Sequence, residues 1–580
     1  MIRHAQRRSP QRPVAFGLRL GLLFGLLATA AGLLAGRAVE LQLVDHGFLA
    51  GQGAARSSRV VAINAHRGTI TDRFGEPLAV STPVDSVWVN PRELAGNTEQ
   101  LPRLARALRL DRQEFVRRVS SNLDREFLYV ARGLQPADAR RVRSLDIPGV
   151  AFAREHRRYY PAGEVTGHLI GFNNVDDVGQ EGAELAFDHW LAGEDGAKRV
   201  IQDNRGRKVE DVESIRAARP GRDLALSIDL RIQYLAYREL KAAIRDNRAR
   251  AGSVVVIDVN SGEVLAIVNQ PAYNPNDRGQ LKAAVYRNRA ATDLFEPGSS
   301  IKPFIVAAAL ASGRYRTDSV IDTSGGFLQV GAKTIEDEHP LGAADLATVL
   351  AKSSNVGMAK MALSLEPKSI WGTLDRLGFG QVTASGFPGE SAGLLSNYSH
   401  WRPISITTLA YGYGLSVTPL QLAQAYATVG AYGLRRPASL LRVDEPVAGE
   451  RVLDPAVCRS LLGLLEAVVA PEGTGVRAQV AGYRVAGKTG TAWKSLAGTY
   501  SKDDYVAVFG GVAPATHPRL AAVVVIDEPS AGKYYGGDVA APVFSAVMGG
   551  ALRLMGVAPD GASAQPATDG LLSGQKVAHR

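Results

Sequence analysis

The hydrophobic positions near the N-terminus form a single uninterrupted run. Leu20–Gly36 holds seventeen residues without a charge and is rich in Leu, Ala and Gly. This length is at the short end of a bilayer span, and snorkelling of Arg19 extends the apolar stretch back to Val14. The pattern therefore predicts a transmembrane anchor over residues 14–36, preceded by a short tail at 1–13.

The charges around this run predict its orientation. Five arginines and no acidic residue precede the apolar run, and the first acidic residue is Glu40. Basic residues before a span and few after it indicate a cytoplasmic tail and an exported body. A cleaved signal peptide is the alternative, since Ala28-Thr29-Ala30 resembles a cleavage site, but cutting there would split the apolar run. We therefore expect an uncleaved single-pass anchor in the lipid bilayer.

The pattern changes twice after the anchor. Residues 37–222 are charged and Arg-rich, with mixed strand and helix signals, and Arg67–Gly75 reads as strand, tight turn and strand. A positive φ is expected at Gly75. The polar, turn-rich stretch Ala197–Arg222 marks a domain boundary.

Residues 223–557 show the clearest periodicities and predict a second domain. Leu224–Ile228 alternates like a strand, and Asp229 is placed to cap a helix with one apolar face. A hairpin is expected around Asn260-Ser-Gly262. Further strands are expected at Tyr505–Gly511 and Leu520–Asp527, before a helix at Ala540–Leu554. The fold class is therefore α+β, with a central antiparallel sheet flanked by helices, and a disordered tail at 558–580.

Composition and charge narrow the class of protein. The 580 residues are 46% hydrophobic, which excludes a mostly disordered chain. A single cysteine, Cys458, excludes an intramolecular disulfide framework and any multi-cysteine metal site. The net charge of +10 is concentrated in the N-terminal tail, and no basic stripe elsewhere predicts a nucleic-acid partner.

The first candidate for chemistry is Ser299-Ser-Ile-Lys302, which follows a Pro-Gly turn and leads into an apolar helix. Pro303 fits only if that helix begins near Ser299, because first-turn amides lack intrahelical partners. Ser299 then lies one turn from Lys302, and a lysine with a lowered pKa can take the proton of a serine hydroxyl. Taken alone, the motif is weak and an ordinary helix cap explains it.

Two further motifs are also weak individually. Ser353-Ser-Asn355 can relay a proton and orient a carbonyl, or simply cap a helix. In Lys488-Thr-Gly-Thr491, a strand would put Thr489 and Thr491 on one face, and Gly490 would admit a substrate backbone.

The same stretch matches the phosphate-loop pattern, from Gly482 to Thr489. That loop requires a helix immediately afterwards, and the residues after Lys488 favour a strand, so we do not expect an NTPase. The residues around Ser299 do not form a G-x-S-x-G elbow, and the ten histidines include no H-E-x-x-H pair. A Ser-His-Asp enzyme and a zinc hydrolase therefore have little support.

The three motifs in this order, separated by about 50 and about 130 residues, resemble the penicillin-recognising serine enzymes. Within them, the chain is similar to the division-specific class B penicillin-binding proteins. The similarity covers residues 40 to 555, including Arg67–Leu78, Tyr159–His168, Gly412–Pro419 and Asp527–Gly537.

The resemblance implies an anchor, a non-catalytic pedestal at 37–222 and a transpeptidase domain at 223–557. It implies that Ser299 attacks a D-Ala carbonyl of a peptidoglycan stem peptide, and that β-lactams acylate the same serine. Lys302 would be the base, with Ser353, Asn355 and Lys488 around it. The substrate-binding residues would be three residues of the third motif and two tyrosines further along the chain: Thr489, Gly490, Thr491, Tyr534 and Tyr535.

The resemblance also implies backbone N–H groups of Ser299 and Thr491 as the oxyanion hole, with no metal or organic cofactor. It places the protein in the inner membrane, with its catalytic domain periplasmic. Its partners would be stem peptides, a membrane-embedded glycan polymerase and other division proteins.

Some positions depart from the family's pattern. Trp493 stands where an Arg is usual, and Ser300 and Ile301 replace Thr and Met. The loop from Lys494 to Asp504 is short. Three alternatives stay open: a related hydrolase, an inactive scaffold of the division machinery, and a condition-specific paralogue.

Overall fold

The structure is a computed structural model that describes residues 16–48, 58–202, 208–277, 279, 283–496 and 499–561. The predicted tail at 1–13 and residues 562–580 of the predicted disordered tail lie outside these ranges. The chain divides into two compact units. The first unit consists of residues 1–65, 84–155 and 194–219, and the second of residues 66–83, 156–193 and 220–580.

The predicted anchor is helical. Helix α1 (Phe16–Val39) continues into a π-helical turn at Glu40–Val44. Over Gly17–Val44 it is long and apolar enough to cross a membrane, and no part of it is buried against the protein. Its apolar side chains are exposed all round, as expected of a helix whose natural solvent is lipid rather than water.

The first unit combines a three-stranded antiparallel sheet with a small helical layer. The sheet has the order β1-β8-β9, and the strands β3 and β4 pair elsewhere in the unit through Asp85–Val89. Its core contains Val87, Leu104 and Phe115. The strands that contribute are β1 (Ser58–Ile63), β3 (Pro77–Val89), β4 (Leu128–Leu134), β5 (Val150–Tyr159), β8 (Gly196–Gln202) and β9 (Lys208–Arg216). The helices are α2 (Pro91–Ala95), α3 (Leu101–Ala107), α4 (Arg112–Ser120) and α5 (Pro136–Arg143).

The second unit is built on a five-stranded antiparallel sheet with the order β12-β11-β21-β20-β19. The strands are β11 (Ala251–Asp258), β12 (Val264–Gln270), β19 (Ala486–Leu496), β20 (Thr499–Ala513) and β21 (Leu520–Asp527). Strand β19 forms one edge. Successive residues of β11 point to opposite faces, so Val254 and Val256 join one core cluster and Val255 and Ile257 the other.

Helices cover both faces of this sheet. On one face pack α9 (Leu230–Asp246) and α19 (Ala541–Leu554), which contribute Leu240 and Phe544 to the core. The remaining helices of the unit are α6 (Gly167–Ile170), α7 (Gly182–Ala186), α8 (Asp188–Ala192), α10 (Arg289–Thr292), α11 (Lys302–Ala311), α12 (Leu346–Ala351), α13 (Asn355–Ser364), α14 (Pro367–Arg376), α15 (Pro403–Ala410), α16 (Pro419–Gly430), α17 (Pro455–Val469) and α18 (Gly536–Val539).

Short strands complete the second unit: β2 (Ile70–Thr71), β6 (Phe172–Asn173), β7 (Gly179–Glu181), β10 (Leu224–Ala225), β13 (Val320–Asp322), β14 (Phe327–Val330), β15 (Lys333–Glu336), β16 (Ala343–Asp345), β17 (Leu434–Arg435) and β18 (Glu450–Arg451). The predicted fold class is confirmed: an apolar N-terminal helix, mixed α and β structure, and an antiparallel sheet flanked by helices.

Most of the local predictions are confirmed as well. Asp229 caps α9 by accepting a hydrogen bond from the Arg231 N–H, and Gly75 has a φ of 91°. The turn at Gly262, with a φ of 81°, joins β11 to β12. The predicted strand Leu224–Ile228 is too long, because only Leu224–Ala225 pairs as a strand, in parallel with β2. The helix predicted from Ala540 begins at Ala541, after the separate short helix α18.

Candidate active site

Ser299 lies on a tight turn that begins a buried helix. Gly298–Ile301 forms a 3₁₀ turn, and α11 follows from Lys302 with Pro303 in its first turn. The helix therefore begins near Ser299 as predicted, although the serine is on the 3₁₀ turn rather than in the α-helix. Within the described part of the chain the Ser299 hydroxyl has no hydrogen-bond partner, so it is free to meet a ligand.

Lys302 is fully buried one turn later. Its ammonium group donates to the backbone oxygen of Ser353 at 2.6 Å, to Ser353 Oγ at 3.1 Å and to Asn355 Oδ1 at 2.8 Å. All three acceptors are neutral oxygens. The structure thus brings the first two sequence motifs into direct contact across 51 residues of chain.

Burial is the main reason that the pKa of Lys302 lies well below its ordinary value, because a desolvated ammonium group favours loss of its proton. The positive charge of Lys488 lowers this pKa further, and Asp337 opposes both effects. A lowered pKa favours the neutral amine, which is the form of lysine that can accept a proton.

The second motif is held by a helix terminus. Ser353 adopts a φ of 60°, which is uncommon outside glycine, and Ser354 caps α13 by accepting from the Gly357 N–H. Strained backbone of this kind is concentrated at functional sites. The left-handed turn places the backbone oxygen and the hydroxyl of Ser353 on the same ammonium group.

Sequence reasoning missed Asp337. Its carboxylate accepts hydrogen bonds from Ser354 Oγ at 2.5 Å and from the backbone N–H groups of Asn355 and Val356 at 2.6 and 2.9 Å. A carboxylate at a helix N-terminus is stabilised by the free amides and the helix dipole. The acidic run Glu336-Asp-Glu338 was the only signal in the sequence, and it does not distinguish which of the three acids turns inward.

The third motif lies on the edge strand β19. Lys488 to Thr491 are in the middle of that strand, so the helix that a phosphate loop requires is missing and the NTPase interpretation fails. Lys488 is fully buried, which lowers its pKa to about 7. Its ammonium group donates to the backbone oxygen and the hydroxyl of Thr489, both at 3.1 Å.

Both threonine hydroxyls of this strand already have a partner in the protein. Thr489 Oγ1 is 2.9 Å from Thr474 Oγ1, and Thr491 Oγ1 accepts from the Gly536 N–H at 3.0 Å. Since the hydroxyl of Thr491 accepts this bond, its own proton remains available to donate to a carboxylate.

Gly490 lets the edge strand approach the serine turn. A Cβ atom at Gly490 would lie 2.7 Å from the Pro297 backbone oxygen and 3.1 Å from the Ser300 nitrogen, distances that real side chains do not tolerate. A glycine is therefore required for this contact. The third motif is thus in contact with the turn that carries the first.

Aromatic side chains line the neighbouring edge of the sheet. Tyr534 stacks on Tyr505 with ring centres 4.2 Å apart, and Tyr535 packs on Tyr534 at 4.6 Å. The Tyr535 hydroxyl reaches Glu338 Oε1 at 3.5 Å. Trp493, at the end of the third motif, keeps 49% of its surface exposed. Among the described residues, no group of three or more His, Cys, Asp or Glu is arranged to hold a metal ion.

Comparisons with known proteins show the family of the chain. The sequence profile of the penicillin binding protein transpeptidase domain matches residues 252–549, and that of the penicillin-binding protein dimerisation domain matches residues 62–226. The chain is 45% identical to the peptidoglycan D,D-transpeptidase FtsI of Escherichia coli K12, over 93% of this chain and 92% of that protein. It is 43% identical to a probable peptidoglycan D,D-transpeptidase, PbpC, of Pseudomonas aeruginosa, over 95% and 97% of the two chains.

Among solved structures, the apo transpeptidase domain of Burkholderia pseudomallei penicillin-binding protein 3 is 41% identical, with a TM-score of 0.54. The match covers 58% of this chain and 97% of that domain. Along the chain, the dimerisation profile is followed by the transpeptidase profile. The relatives that match over nearly their full length are named as peptidoglycan D,D-transpeptidases, in agreement with the second profile. The chain therefore belongs to the class B penicillin-binding proteins, the family that joins a dimerisation domain to a penicillin-binding transpeptidase domain.

Proposed function

We propose that this protein is a serine-type peptidoglycan D,D-transpeptidase that crosslinks stem peptides during septal wall synthesis. The observation that carries the proposal is Lys302, a buried lysine one turn from Ser299 whose hydrogen bonds all go to neutral oxygens. Such a lysine is the proton acceptor that a serine nucleophile needs.

Acylation then follows from these groups. Lys302 takes the Ser299 hydroxyl proton as Oγ attacks the carbonyl carbon of the penultimate D-Ala. The peptide C–N bond breaks, and the terminal D-Ala leaves as an amine that has gained this proton through Lys302 and Ser353. Backbone N–H groups of Ser299 and Thr491 would stabilise the oxyanion.

The amine of a second stem completes the reaction. It attacks the acyl-enzyme carbonyl, loses a proton to the same base, and releases Ser299 as a new amide crosslink forms. β-Lactams would acylate Ser299 through the same first step, since their ring amide takes the place of the D-Ala–D-Ala bond.

Strand β19 supports the proposed mode of substrate binding. An extended peptide can add to a free sheet edge through backbone hydrogen bonds, and β19 is such an edge. Thr489 and Thr491 would bind the terminal carboxylate, Gly490 would allow close approach, and Tyr534 and Tyr535 would flank the ligand.

The location of the protein is part of the same proposal. The apolar helix at Gly17–Val44 would cross the inner membrane once, with the N-terminus cytoplasmic because its flanking arginines stay inside. The pedestal at 37–222 and the transpeptidase domain at 223–557 would then be periplasmic. The partners would be a membrane-embedded glycan polymerase and other division proteins.

Covalent labelling tests the proposal. The protein from residue 40 onward is incubated with a fluorescent penicillin, beside Ser299→Ala, and followed by intact-mass spectrometry. A stable adduct on the wild type only is expected. An adduct that decays within seconds would indicate a hydrolase, and a folded protein without any adduct would indicate a scaffold.

A further inference from the structure

Strand β19 loses its regular pairing with β20 immediately after Trp493. Trp493 is opposite Tyr505, and the next pair along β19 is Ser495 with Tyr500. Between these pairs β20 contains four residues, 501–504, and β19 contains only Lys494. A ladder with such a mismatch is locally disrupted, so backbone pairing alone does not hold the end of the edge strand in place.

Lys494 replaces the missing pairing with an ionic tie. Its ammonium group is 2.7 and 2.9 Å from the two carboxylate oxygens of Asp527 and 2.7 Å from Glu528 Oε1. Asp527 ends β21 and is paired with Val506 of β20. The lysine side chain therefore reaches across one strand to bind the next.

The tie is partly shielded from solvent. The side chains of Lys494, Asp527 and Glu528 are only 22%, 21% and 23% exposed. Ion pairs in this range are screened by salt less than exposed ones. A second, longer tie runs from the Trp493 N–H to Tyr413 Oη at 3.2 Å.

The backbone of Glu528 is strained to complete the site. Its φ of 51° is left-handed, a conformation that is unfavourable for a residue with a side chain. Its N–H donates to the Tyr505 backbone oxygen at 2.9 Å, and its carboxylate also accepts from Arg250 at 2.6 Å. Burial acts to raise the pKa of Glu528, but the hydrogen bonds from Lys494 and Arg250 hold it below its ordinary value. The strained turn thus places the Glu528 carboxylate, a second ionised acceptor, next to the Lys494 ammonium group.

We propose that Lys494 is a positioning residue for acyl transfer. By tying the end of β19 to β21, it sets the place of Trp493 and of Tyr505, on which Tyr534 stacks. Trp493 lies on the edge strand to which the substrate would add, and Tyr505 is its partner on the neighbouring strand. The inference rests on the proposed function.

The same network contains a matched control. Arg250 binds the same Glu528 oxygen as Lys494, and among the described residues none of its hydrogen bonds or ion pairs goes to β19. Loss of either cation removes one positive charge from the network. Only loss of Lys494 releases the edge strand.

The test compares Lys494→Met, Arg250→Met and Lys494→Arg by stopped-flow acylation with a chromogenic cephalosporin. Lys494→Met should lower the second-order acylation constant by about tenfold, with the limiting rate within about twofold, because misplacement weakens productive binding. Arg250→Met should stay within about twofold of the wild type, since an exposed pair contributes little. Lys494→Arg should restore most of the loss, because it keeps the tie.

The outcomes distinguish a failure of the proposed function from a failure of the proposed role of Lys494. A wild type that is never acylated overturns the proposed function. A wild type that is acylated, with Lys494→Met and Arg250→Met slowed equally or not at all, overturns the role of Lys494 alone. If Lys494→Met is unfolded by circular dichroism, Asp527→Asn replaces it, and a normal acylation constant in that variant also overturns the inference.

Discussion

The second unit buries two clusters of positive charge, and they are built in opposite ways. In one, Arg67 and Arg158 lie beside carboxylates. In the other, Lys302 and Lys488 are fully buried, and no carboxylate of the described residues is within ion-pair distance of either. The carboxylates of the first cluster stabilise the charged arginines, whereas burial in the second cluster disfavours the charged form of the lysines.

The arginine cluster is fully compensated. Arg67 Nε is 2.7 Å from Glu184 and its Nη1 is 2.7 Å from Asp188, while Arg158 Nε is 2.6 Å from Glu184. Burial acts to lower the pKa of Arg67, but Glu184 and Asp188 hold it above its ordinary value. Buried charges that are paired in this way are structural, and the pKa of Arg67 moves further from physiological pH.

The lysine cluster lacks such partners, and its pKa values move toward physiological pH. That is the condition for proton transfer, because a lysine that stays protonated cannot act as a base. The comparison teaches that burial by itself does not mark a catalytic charge. A buried cation that lacks a neighbouring carboxylate is the better candidate for catalysis.

Lys302→Met is expected to have the largest effect on activity and should leave the fold intact. The acylation rate should fall by about 10³-fold, because general-base catalysis typically contributes 10²–10⁴-fold. Stopped-flow acylation measures the loss and circular dichroism checks the fold. Lys360→Met on α13 is the matched control, since among the described residues Lys360 donates its hydrogen bond to the Asp322 backbone oxygen alone. Near-normal acylation of Lys302→Met would remove this lysine from the proposed role.

Arg67→Met should do the reverse, with loss of stability and no specific loss of chemistry. Removing one partner of a buried pair costs about 3–5 kcal/mol, since Asp188 would lose its ion pair with Arg67 and Glu184 would keep only Arg158. Urea unfolding followed by tryptophan fluorescence measures the change. Arg219→Met is the control, because its pair with Glu194 is largely exposed. A variant as stable as the wild type would mean that the cluster is not structural.

The pH dependence of stability should also distinguish the clusters. The pKa of Lys488 is lowered to about 7, so the unfolded chain binds a proton that the folded protein lacks between about pH 7 and its ordinary pKa near 10.5. Over that window the wild type should gain stability with rising pH relative to Lys488→Met, by at most about 1 kcal/mol per pH unit. Thermal midpoints of both proteins at pH 7, 8.5 and 10 measure the difference. A difference that falls with pH would contradict the lowered pKa.

Trp493→Arg should have the smallest effect, because it adds a charge at an exposed position. Acylation by β-lactams that carry a second carboxylate should speed up by less than about tenfold, since exposed charges contribute little. Rates for matched neutral and anionic compounds measure the effect. Equal changes for both compounds would reduce Trp493 to a packing residue.

Many elements of the second unit were predictable from sequence, because the signals that specify them lie close together along the chain. The hairpin at Gly262, the cap at Asp229 and the strands β20 and β21 are encoded by turn residues and by period-2 alternation within a few positions. Leu224–Ile228 shows the limit of prediction from alternation, because the alternation does not indicate how many residues of a strand pair with a neighbouring strand.

The candidate site was predictable only in part. The three motifs identify Ser299, Lys302 and Lys488, but Asp337 carries no signal that separates it from its acidic neighbours. The role of Lys494 was also invisible, because its partners are 33 and 34 residues away on another strand. Contacts of this kind depend on strand order, which the local pattern does not encode.

The sequence alone determined the fold class, the apolar N-terminal helix and the family, since composition, periodicity and ordered motifs are properties of the chain itself. Only the tertiary structure decided which buried charges are paired and which are left alone. The pKa of Lys302 follows from every atom that keeps water away from it, and these atoms come from distant segments. Desolvation is a collective result of packing, so no local stretch of sequence contains it.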